Sequence, residues 1–359
     1  MTTSSVPRGV RSGPVGVAII GAGYWGPNLL RNFCGHDGAQ VRWLCDLDSD
    51  RARSVVGRYS TVGVTADLDQ VLSDPGVEAV VIATPAATHA EIGLVAIESG
   101  RHVLIEKPLA TTREDGVRLV AAADRLGRVL MCDHTYCYTP AVQEIRRLVR
   151  SGVLGDVQYV DAVRINLGLI RPDTDVVWDL APHDLSILDH VLPASQRPRQ
   201  VAACGVDPVG AGRACIGYVT LPLGGDALAH LHVNWLSPTK VRSMIIGGSE
   251  RMLLWDDLQP SQRLSLYDTG VDLSGTPEER RRELRVAYRT GTIISPALPE
   301  VEALHNMVTE FVSAIREERE PATDGRAGLR VLELLEAARV SLSAGGSLVD
   351  LDRTTRSAA

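Results

Sequence analysis

The sequence predicts an α/β protein with two domains: an N-terminal doubly wound parallel sheet, and a C-terminal α+β domain with an open, mainly antiparallel sheet. Up to residue 132, short apolar runs alternate with segments of helical periodicity, a pattern typical of a parallel sheet covered by helices. The first run leads directly into a glycine-rich turn and a helix. After residue 133 the strands become longer, and a helix no longer follows each one. We therefore predict a flexible tail over residues 1–14, a first domain over 15–132 and a second over 133–359.

The composition excludes several classes of partner. The chain has 359 residues, of which 45% are hydrophobic and 23% charged, as expected of a soluble globular protein. Its formal net charge of -7 argues against a nucleic-acid partner, because phosphate backbones bind basic surfaces. No apolar stretch reaches the length of a membrane span, and residues 1–14 lack the apolar core of a signal peptide. We expect a cytoplasmic protein with neither a membrane nor a nucleic-acid partner.

The regular elements of the first domain follow one another in strand–helix order. The predicted strands are 15–20, 41–45, 77–83, 101–105 and 129–132, and the predicted helices are 28–33, 90–98 and 113–126. In the second domain we predict strands at 157–166, 227–235 and 241–247, and helices from about 182, at 301–317 and at 327–342. Ligands of doubly wound sheets bind beyond the carboxyl ends of the strands, so the residues that follow each strand are the first candidates for a site.

The residues after the first strand form a dinucleotide-binding motif, Gly21-Ala22-Gly23-Tyr24-Trp25-Gly26. Gly21 permits the tight turn, Gly23 lets the backbone approach a pyrophosphate, and Gly26 allows close helix packing, as in the Rossmann fold. A GxGxxG motif alone is a weak signal, but here a second strand ends in Asp46, about 20 residues later, where a carboxylate binds a ribose diol. We predict cofactor contacts from Gly21, Gly23, Tyr24, Trp25, Gly26 and Asp46.

Asp46 also bears on the choice of cofactor. A carboxylate accepts hydrogen bonds from a free 2′-hydroxyl and repels a 2′-phosphate, so the sequence favours NAD over NADP. Arg51 and Arg53 follow a few residues later and are long enough to reach a phosphate, which leaves NADP as the alternative. The structural alternative for Asp46 is a helix cap.

Lys107 is one of only two lysines among the 37 Lys and Arg residues, the other being Lys240. A bias toward Arg replaces lysine wherever a general positive charge suffices, so a surviving lysine marks a position where Arg does not serve. Arg stays protonated in proteins, whereas a desolvated Lys takes part in acid–base chemistry. Lys107 stands in Glu106-Lys107-Pro108, at the predicted carboxyl end of a strand. The alternative is a surface lysine retained by chance.

Asp179 and His183 are four residues apart, a spacing that puts a carboxylate and an imidazole on one face of a helix. There the acid orients the ring, and the histidine transfers a proton near neutral pH. The alternative is structural, with Asp179 or Asp184 as a helix cap and His183 as a core residue. The six cysteines show no CxxC spacing and the chain has no HExxH motif, so we predict no metal site.

The ordered combination of these motifs resembles the Gfo/Idh/MocA family of nicotinamide-dependent oxidoreductases, which act on sugars and cyclitols. The motifs are GAGYWG, Asp46, TPAATH at 84–89, EKP at 106–108 and WDLAPHD at 178–184. Segments 134–136, 234–242 and 248–257 further resemble the nucleotide-sugar 3-dehydrogenase-like branch. The resemblance covers most of the chain.

The resemblance implies roles for particular residues. The family's EKP lysine corresponds to Lys107, and its DxxxH pair corresponds to Asp179 and His183, which favours a catalytic interpretation of all three. His183 would exchange the proton of a ring hydroxyl while its carbon passes hydride to the nicotinamide, Lys107 would bond the oxygen, and Asp179 would tune the histidine. Further cofactor contacts are expected from Thr84, Pro85, His89, Glu106 and Lys107. Substrate contacts are expected from Lys107, Tyr136, Arg164, Asn166, His183 and Lys240. For Lys240 the alternative is a pairing with Asp256, Asp257 or a neighbouring subunit.

The leading functional hypothesis is an NAD-dependent dehydrogenase that oxidises a ring hydroxyl, with C3 as the first candidate, of a sugar, a nucleotide sugar or an aminoglycoside-type intermediate. An inositol dehydrogenase and a sugar 3-ketoreductase are alternatives with the same fold and site. Related enzymes cleave glycosides through transient oxidation by NAD, and the non-enzymatic alternative is a sensor that binds NAD and sugar. The family resemblance also implies a homodimer or homotetramer.

Overall fold

A computed structural model describes residues 13–57, 59, 61–172, 174–268, 270–271, 288–289 and 291–351. The chain divides into two compact units, the first formed by Met1–Thr135 with Val301–Leu329 and the second by Tyr136–Glu300 with Arg330–Ala359. The tail predicted over residues 1–14 lies outside the described residues up to residue 12. The division near residue 135 is close to the predicted boundary at 132, but residues 301–329, which the sequence placed in the second domain, cluster with the first unit.

The first unit is built on a six-stranded parallel sheet covered by helices. Its strands are β1 (Val15–Ile20), β2 (Ala39–Cys45), β3 (Gly63–Thr65), β4 (Ala79–Ile82), β5 (His102–Glu106) and β6 (Leu130–Asp133). Its first helices are α1 (Gly26–Cys34), α2 (Ser49–Val56), α3 (Leu68–Ser73), α4 (His89–Glu98) and α5 (Arg113–Leu126). The strand order is β3-β2-β1-β4-β5-β6, so the predicted doubly wound sheet is confirmed. The order reverses between β1 and β4, the point beside which such sheets bind ligands.

Burial explains the apolar runs of this sheet. β1 and β4 are buried along their whole length, because helices cover both faces of a doubly wound sheet. The predicted helix at 113–126 has the same bounds as α5, since both of its ends carry strong signals. The Thr112 side chain accepts the Asp115 N–H at its start, and Gly127 ends it in the left-handed region at φ +60°.

The second unit contains a nine-stranded sheet and the helices α6 (Pro140–Arg150) and α7 (Val176–Val191). Its strands are β7 (Val157–Leu167), β8 (Gln200–Val206), β9 (Ile216–Leu223), β10 (Ala227–Asn234), β11 (Leu236–Gly248), β12 (Met252–Asp256), β13 (Leu264–Tyr267), β14 (Gly270–Val271), β15 (Tyr288–Arg289), β16 (Ile293–Ile294) and β17 (Val349–Asp350). β14 pairs with β15, and the others form one sheet in the order β16-β13-β12-β11-β7-β10-β9-β8-β17. Only β7 and β10 run parallel among the described pairs of this sheet, which confirms the predicted mainly antiparallel sheet.

One face of this sheet packs against α7, and the opposite face is open. The strands alternate accordingly, with β9 and β10 burying every second residue. The open face carries exposed apolar side chains, among them Tyr159, Leu167, Tyr218 and Leu228. Leu228 lies opposite Tyr159 in the parallel pair, so these side chains belong to one continuous surface.

Two helices follow the second sheet, α8 (Ala303–Arg316) and α9 (Gly325–Ser343). α8 packs on α1, where the Phe33 and Phe311 rings meet edge to face with centroids 6.4 Å apart. Next to α9, Thr323 accepts the Cys132 N–H and returns a bond from its hydroxyl to the Cys132 carbonyl, at 2.9 and 2.7 Å. These contacts join residues that are far apart in the chain, so local periodicity does not reveal that residues 301–329 cluster with the first unit. None of the helices in the described part of the chain is long and apolar enough to cross a membrane.

Candidate active site

The glycine turn after β1 contains three glycines. Two of them have no room for a Cβ atom in the folded protein, and the third has room for one. Gly21 has φ +104°, and a Cβ there would lie 2.6 Å from the Ala83 carbonyl oxygen. A Cβ on Gly26 would collide with the Gly21 carbonyl. Gly23 differs, because a Cβ on it would meet no described atom within 4 Å. Space is thus kept open at the one glycine whose backbone approaches a pyrophosphate in a Rossmann turn, so the residues present fit a dinucleotide.

Gly21→Ala and Gly23→Ala are expected to have opposite effects. Gly21→Ala forces a positive φ on alanine and a clash with the Ala83 carbonyl just after β4, so it should lower the free energy of unfolding by about 2 kcal/mol or more. Gly23→Ala should leave the melting temperature almost unchanged and weaken dinucleotide binding about tenfold or more, since the added methyl enters the open space. Thermal melts and calorimetric titration with NAD measure the two effects. A Gly23→Ala protein that binds NAD normally would contradict the assignment.

Asp46, at the end of β2, is buried and accepts several hydrogen bonds. Its Oδ2 accepts the Ala22 N–H of the glycine turn at 2.6 Å, and its Oδ1 accepts the Asp48 N–H at 2.8 Å. Burial alone raises the pKa of Asp46, but these bonds and the Arg51 guanidinium lower it below its usual value. The carboxylate is therefore ionised at neutral pH. The alternative role as a helix cap is wrong, because Asp48 caps α2.

Arg51 lies against this carboxylate, with its Nη2 2.6 Å from Asp46 Oδ1 and half of its side chain exposed. Arg53 points elsewhere and pairs with Asp50 at 2.8 Å. Of the two arginines that the sequence offered for a 2′-phosphate, only Arg51 is beside Asp46. It is the feature that opposes the preference for NAD.

A group of polar side chains lies at the carboxyl ends of β5 and β6, and we call it the carboxyl-edge cluster: Trp25, Glu106, Lys107, Asp133 and Thr135. Glu106 and Asp133 are register partners on the two strands. The Lys107 N–H donates to Glu106 Oε2 at 2.8 Å, and the Trp25 indole donates to Asp133 Oδ2 at 3.1 Å. The Thr135 hydroxyl donates to Asp133 Oδ1 at 2.6 Å. Trp25 is thus tied to β6, while Tyr24 beside it is 91% exposed.

Glu106→Gln is expected to stabilise the protein progressively as the pH rises. Burial and then the Asp133 carboxylate raise the pKa of Glu106 from 4.5 to about 8, so the fold favours the protonated acid. That contribution to stability is complete below pH 4.5 and is lost as the pH rises through 8, whereas glutamine loses nothing. The melting-temperature difference between variant and wild type should therefore be small near pH 5 and clearly positive near pH 9. The exposed Asp69→Asn is the matched control, and a difference that stays constant with pH would contradict the expectation.

The residues after β4 are held against the glycine turn and the segment after β5. Thr84 N lies 2.9 Å from the position of a Cβ on Gly21, so Thr84 and Pro85 border the turn. His89 is 1% exposed, and its ring nitrogens contact the Thr84 and Pro108 carbonyl oxygens at 2.9 and 2.8 Å. Burial lowers the pKa of His89. This placement favours a supporting role between two loops over the direct cofactor contact expected for His89 from the sequence.

In the second unit, α7 carries Asp179 and His183. The helix begins at Val176 rather than near residue 182, because Asp175 caps it by accepting the Val177 and Trp178 N–H groups at 2.9 and 3.0 Å. Pro182 lies inside the helix. Asp179 and His183 are consequently one full turn apart on α7, as the catalytic interpretation requires. Neither Asp179 nor Asp184 is the cap, so that part of the structural alternative is wrong.

The surroundings of these two residues form a second group, the α7 cluster: Tyr136, Arg164, Asp179, His183, Asp184 and Trp235. The buried Trp235 donates its indole N–H to Asp179 Oδ2 at 2.9 Å, which fixes the carboxylate. The Tyr136 and His183 rings meet edge to face with centroids 5.0 Å apart. His183 is partly exposed, so its imidazole is held by neighbours and is also open to a ligand.

Arg164 contacts two members of the α7 cluster, Asp184 and Tyr136. It is 3% exposed, pairs with both oxygens of Asp184 at 2.7 and 2.9 Å, and lies 4.4 Å from the centre of the Tyr136 ring. A buried bidentate pair has few donors left for a substrate, so the placement differs from the direct contact expected of Arg164. It anchors Asp184, the chain neighbour of His183, and packs under Tyr136.

The positions of Asn166 and Lys240 neither support nor oppose the substrate contacts expected of them. Asn166 is partly exposed and lies two residues beyond Arg164 on the same face of β7. Lys240 is exposed, in the part of β11 where the register with β7 is interrupted between Leu236 and Val241. Asp257 pairs with Arg242 at 2.9 Å, and the pairing of Lys240 with Asp256, Asp257 or a neighbouring subunit stays a prediction.

Sequence reasoning did not select four members of these clusters as site residues, Asp133, Thr135, Asp184 and Trp235, nor Arg242 beside the α7 cluster. Arg242 is the register partner of Arg164 on the neighbouring strand, and its guanidinium lies 5.3 Å from the Tyr136 ring centre. Only the resemblance over 234–242 pointed to Trp235 and Arg242, and no spacing signal pointed to Asp133. In the described part of the chain, no group of three or more His, Cys, Asp or Glu side chains is placed to hold a metal ion.

Comparison with known proteins decides the family. Residues 15–134 match the family model described as an oxidoreductase family with an NAD-binding Rossmann fold, and residues 122–351 match the C-terminal α/β domain of the same family. The chain belongs to the Gfo/Idh/MocA family. The resemblance inferred from the motifs is thereby confirmed. As a Gfo/Idh/MocA protein, it is an oxidoreductase with an NAD-binding Rossmann domain.

Individual Gfo/Idh/MocA proteins resemble the chain over most of its length. The UDP-N-acetylglucosamine 3-dehydrogenase of Acidithiobacillus ferrooxidans is 28% identical over 330 residues, which cover 91% of this chain and 96% of the relative. The D-apiose dehydrogenase of Paraburkholderia graminis is 27% identical over 346 residues, 91% of this chain and 88% of that protein. The solved structure of the Acidithiobacillus enzyme, GnnA, has a TM-score of 0.78 at 26% identity and covers 92% of this chain and 99% of its own. GenD2 from gentamicin A biosynthesis, solved with NAD, has a TM-score of 0.77 at 27% identity and covers 97% and 99%.

Proposed function

We propose that this Gfo/Idh/MocA protein is an NAD-dependent dehydrogenase that oxidises a ring hydroxyl of a sugar in the cytoplasm. The first candidate is the C3 hydroxyl of a nucleotide sugar or of an aminoglycoside-type intermediate. The observation that carries the proposal is the pairing of Asp179 and His183 one turn apart on α7, with Asp179 held by the Trp235 indole. The similarity to a UDP-N-acetylglucosamine 3-dehydrogenase and to a gentamicin A biosynthesis protein supports the substrate class.

The proposed cofactor site lies along the carboxyl ends of β1, β2, β4 and β5. The glycine turn would receive the pyrophosphate, Asp46 the ribose hydroxyls, and Thr84, Pro85 and Glu106 would border the nicotinamide half. Bound there, the nicotinamide supplies the hydride acceptor. NAD is preferred over NADP because the low pKa of Asp46 keeps a negative charge where a 2′-phosphate would lie. If NADP binds, Arg51 is the residue that would contact its 2′-phosphate.

The proposed proton path runs through His183. Its imidazole takes the hydroxyl proton as the carbon–oxygen double bond forms, and Asp179 steadies the imidazolium that results. Lys107 donates a hydrogen bond to the same oxygen, which stabilises the negative charge that develops there. In the reducing direction the same groups return the proton. The proposal requires Lys107 and His183 to reach one hydroxyl, and their variants test that requirement.

NADH formation over a panel of nucleotide sugars, free inositols and aminoglycoside intermediates tests the function, with NAD and NADP run side by side. Oxidation of a nucleotide sugar or aminoglycoside intermediate with NAD is the expected result. Oxidation of an inositol, or NADH consumption with 3-keto sugars, would replace the substrate with one of the alternatives. Glycoside cleavage without net NADH would indicate a transient redox cycle, and NAD binding without any turnover would indicate a sensor.

We also propose that the protein is a homodimer or homotetramer. The support is the open face of the nine-stranded sheet, whose exposed Tyr159, Tyr218 and Leu228 side chains are of the kind that a subunit interface covers. Light scattering coupled to size exclusion measures the assembly mass.

A further inference from the structure

Two carboxyl groups of the carboxyl-edge cluster lie next to each other at the end of the first sheet. Glu106 and Asp133 are register partners on the parallel strands β5 and β6, so their side chains project from the same face of the sheet. Neighbouring strands are about 4.8 Å apart, which brings the two carboxyl groups within strong electrostatic reach. Asp133 is 1% exposed. The burial of Asp133 and the closeness of the two acids oppose the ionisation of both near neutral pH.

The hydrogen-bond donors and charged groups around Glu106 and Asp133 determine how readily each acid ionises. Asp133 accepts bonds from Trp25 and Thr135, and Glu106 accepts the Lys107 N–H. Burial raises the pKa of both acids, and the Lys107 ammonium opposes that rise in each. The other titratable groups nearby are His134, which follows Asp133, His89, which contacts the Pro108 carbonyl, and the exposed Tyr24. The cluster thus has one lysine charge beside two carboxyl groups.

We propose that Glu106 and Asp133 share one proton at neutral pH, and that losing it shifts cofactor binding toward the oxidised nicotinamide. The inference rests on the proposed function, in which Lys107 bonds the oxygen of the reacting carbon and the nicotinamide ring therefore lies near Lys107. The oxidised ring carries a positive charge and the reduced ring does not. A second negative charge beside Lys107 therefore favours NAD over NADH.

Coulomb's law sets the size of the effect. A unit charge roughly 8 Å from the nicotinamide, at a dielectric between those of protein and water, changes the ratio of the two affinities about fivefold. The ratio of the NADH to the NAD dissociation constant should therefore rise about fivefold between pH 6.5 and pH 9.5 in the wild-type protein. The change spans the pH range in which Glu106, with a pKa of about 8, loses its proton.

The experiment titrates NAD and NADH into the full-length protein by calorimetry across this pH range. Asp133→Asn and Glu106→Gln each leave a single acid without a neighbouring carboxylate to oppose its ionisation. In each, the pH dependence of the ratio is expected to move to lower pH and to flatten between pH 6.5 and pH 9.5, and either variant suffices if the other does not fold. Asp69→Asn removes an exposed acid of the same unit and should follow the wild type. Trp25→Phe removes the indole bond to Asp133 but keeps both acids, so it should retain the dependence at a higher pH.

The outcomes separate this inference from the proposed function. A wild-type ratio that is constant with pH, or a dependence that survives in both Asp133→Asn and Glu106→Gln, overturns the shared proton, because His134 and His89 remain in both variants. Absence of any NAD or NADH binding overturns the proposed function instead. Binding with a pH-dependent ratio but without sugar oxidation supports the carboxyl pair and rejects the dehydrogenase.

Discussion

His183→Asn should lower kcat for sugar oxidation about a thousandfold while leaving the dissociation constant of NAD within about twofold of wild type. Asparagine keeps a polar side chain of similar reach but cannot accept a proton at neutral pH. The change removes the edge-to-face contact of the His183 ring with Tyr136, but the buried Arg164–Asp184 pair still holds α7, so the fold should survive. Steady-state kinetics and calorimetric titration with NAD measure the two effects, and a thermal melt checks the fold.

The pH dependence of kcat distinguishes loss of the base from a structural effect of His183→Asn. Without its base the variant must rely on hydroxide, so its kcat should keep rising with pH above the region where the wild type levels off. The control is His305→Asn, an exposed histidine of α8, which should retain wild-type kinetics. A His183→Asn protein with near-normal kcat would remove His183 from the proton path and with it the central claim of the proposed function.

Lys107→Arg should lower kcat about a hundredfold or more, even though the positive charge is kept. The wider, planar guanidinium does not place a single donor where the ammonium does, and it never gives up a proton. The backbone N–H of Lys107 bonds to Glu106 in both proteins, so the change alters the head group and leaves this backbone contact in place. Lys107→Ala should lose at least as much activity.

Lys240→Arg provides the contrast, since these two residues are the only lysines in the chain. Lys240 is exposed on β11, and any effect of the change should fall on KM and not on kcat. Equal losses of kcat in both variants would show that replacing lysine by arginine lowers activity at either position, and not through a specific role of Lys107. Full activity of Lys107→Arg would contradict the assigned role.

The features that the sequence alone makes visible are those encoded by local spacing or composition. Gly21 and Gly26 mark the turn because a Cβ at either position would strike backbone, and the Asp179–His183 spacing fixes their common helix face. Lys107 was found through composition, because a scarce residue at the end of a strand carries information that a common one does not. Each of these signals lies within a few residues of the position it describes.

The features that were missed depend on contacts between distant parts of the chain. Asp133 gains its place from Trp25, which is 108 residues away, and Asp179 is held by Trp235, which is 56 residues away. Arg164 reads as a substrate ligand until its partner Asp184 is found on another element, 20 residues on. No periodicity within one element reports such partners, so the supporting residues of both clusters are beyond reach without a structure.

Residues 301–329 pack in the first unit, and this limits how segments can be exchanged with a homologue to make chimaeras. The cofactor-binding unit is not a contiguous module: Phe33 would lose the ring of Phe311, and the carbonyl of Cys132 would lose the Thr323 hydroxyl, in any chimaera that ends the unit at residue 135. Exchange of cofactor preference by grafting residues 15–135 from a homologue would therefore leave apolar surface of the graft bare. A workable transplant must carry both segments, or confine itself to the few side chains around Asp46 and Arg51.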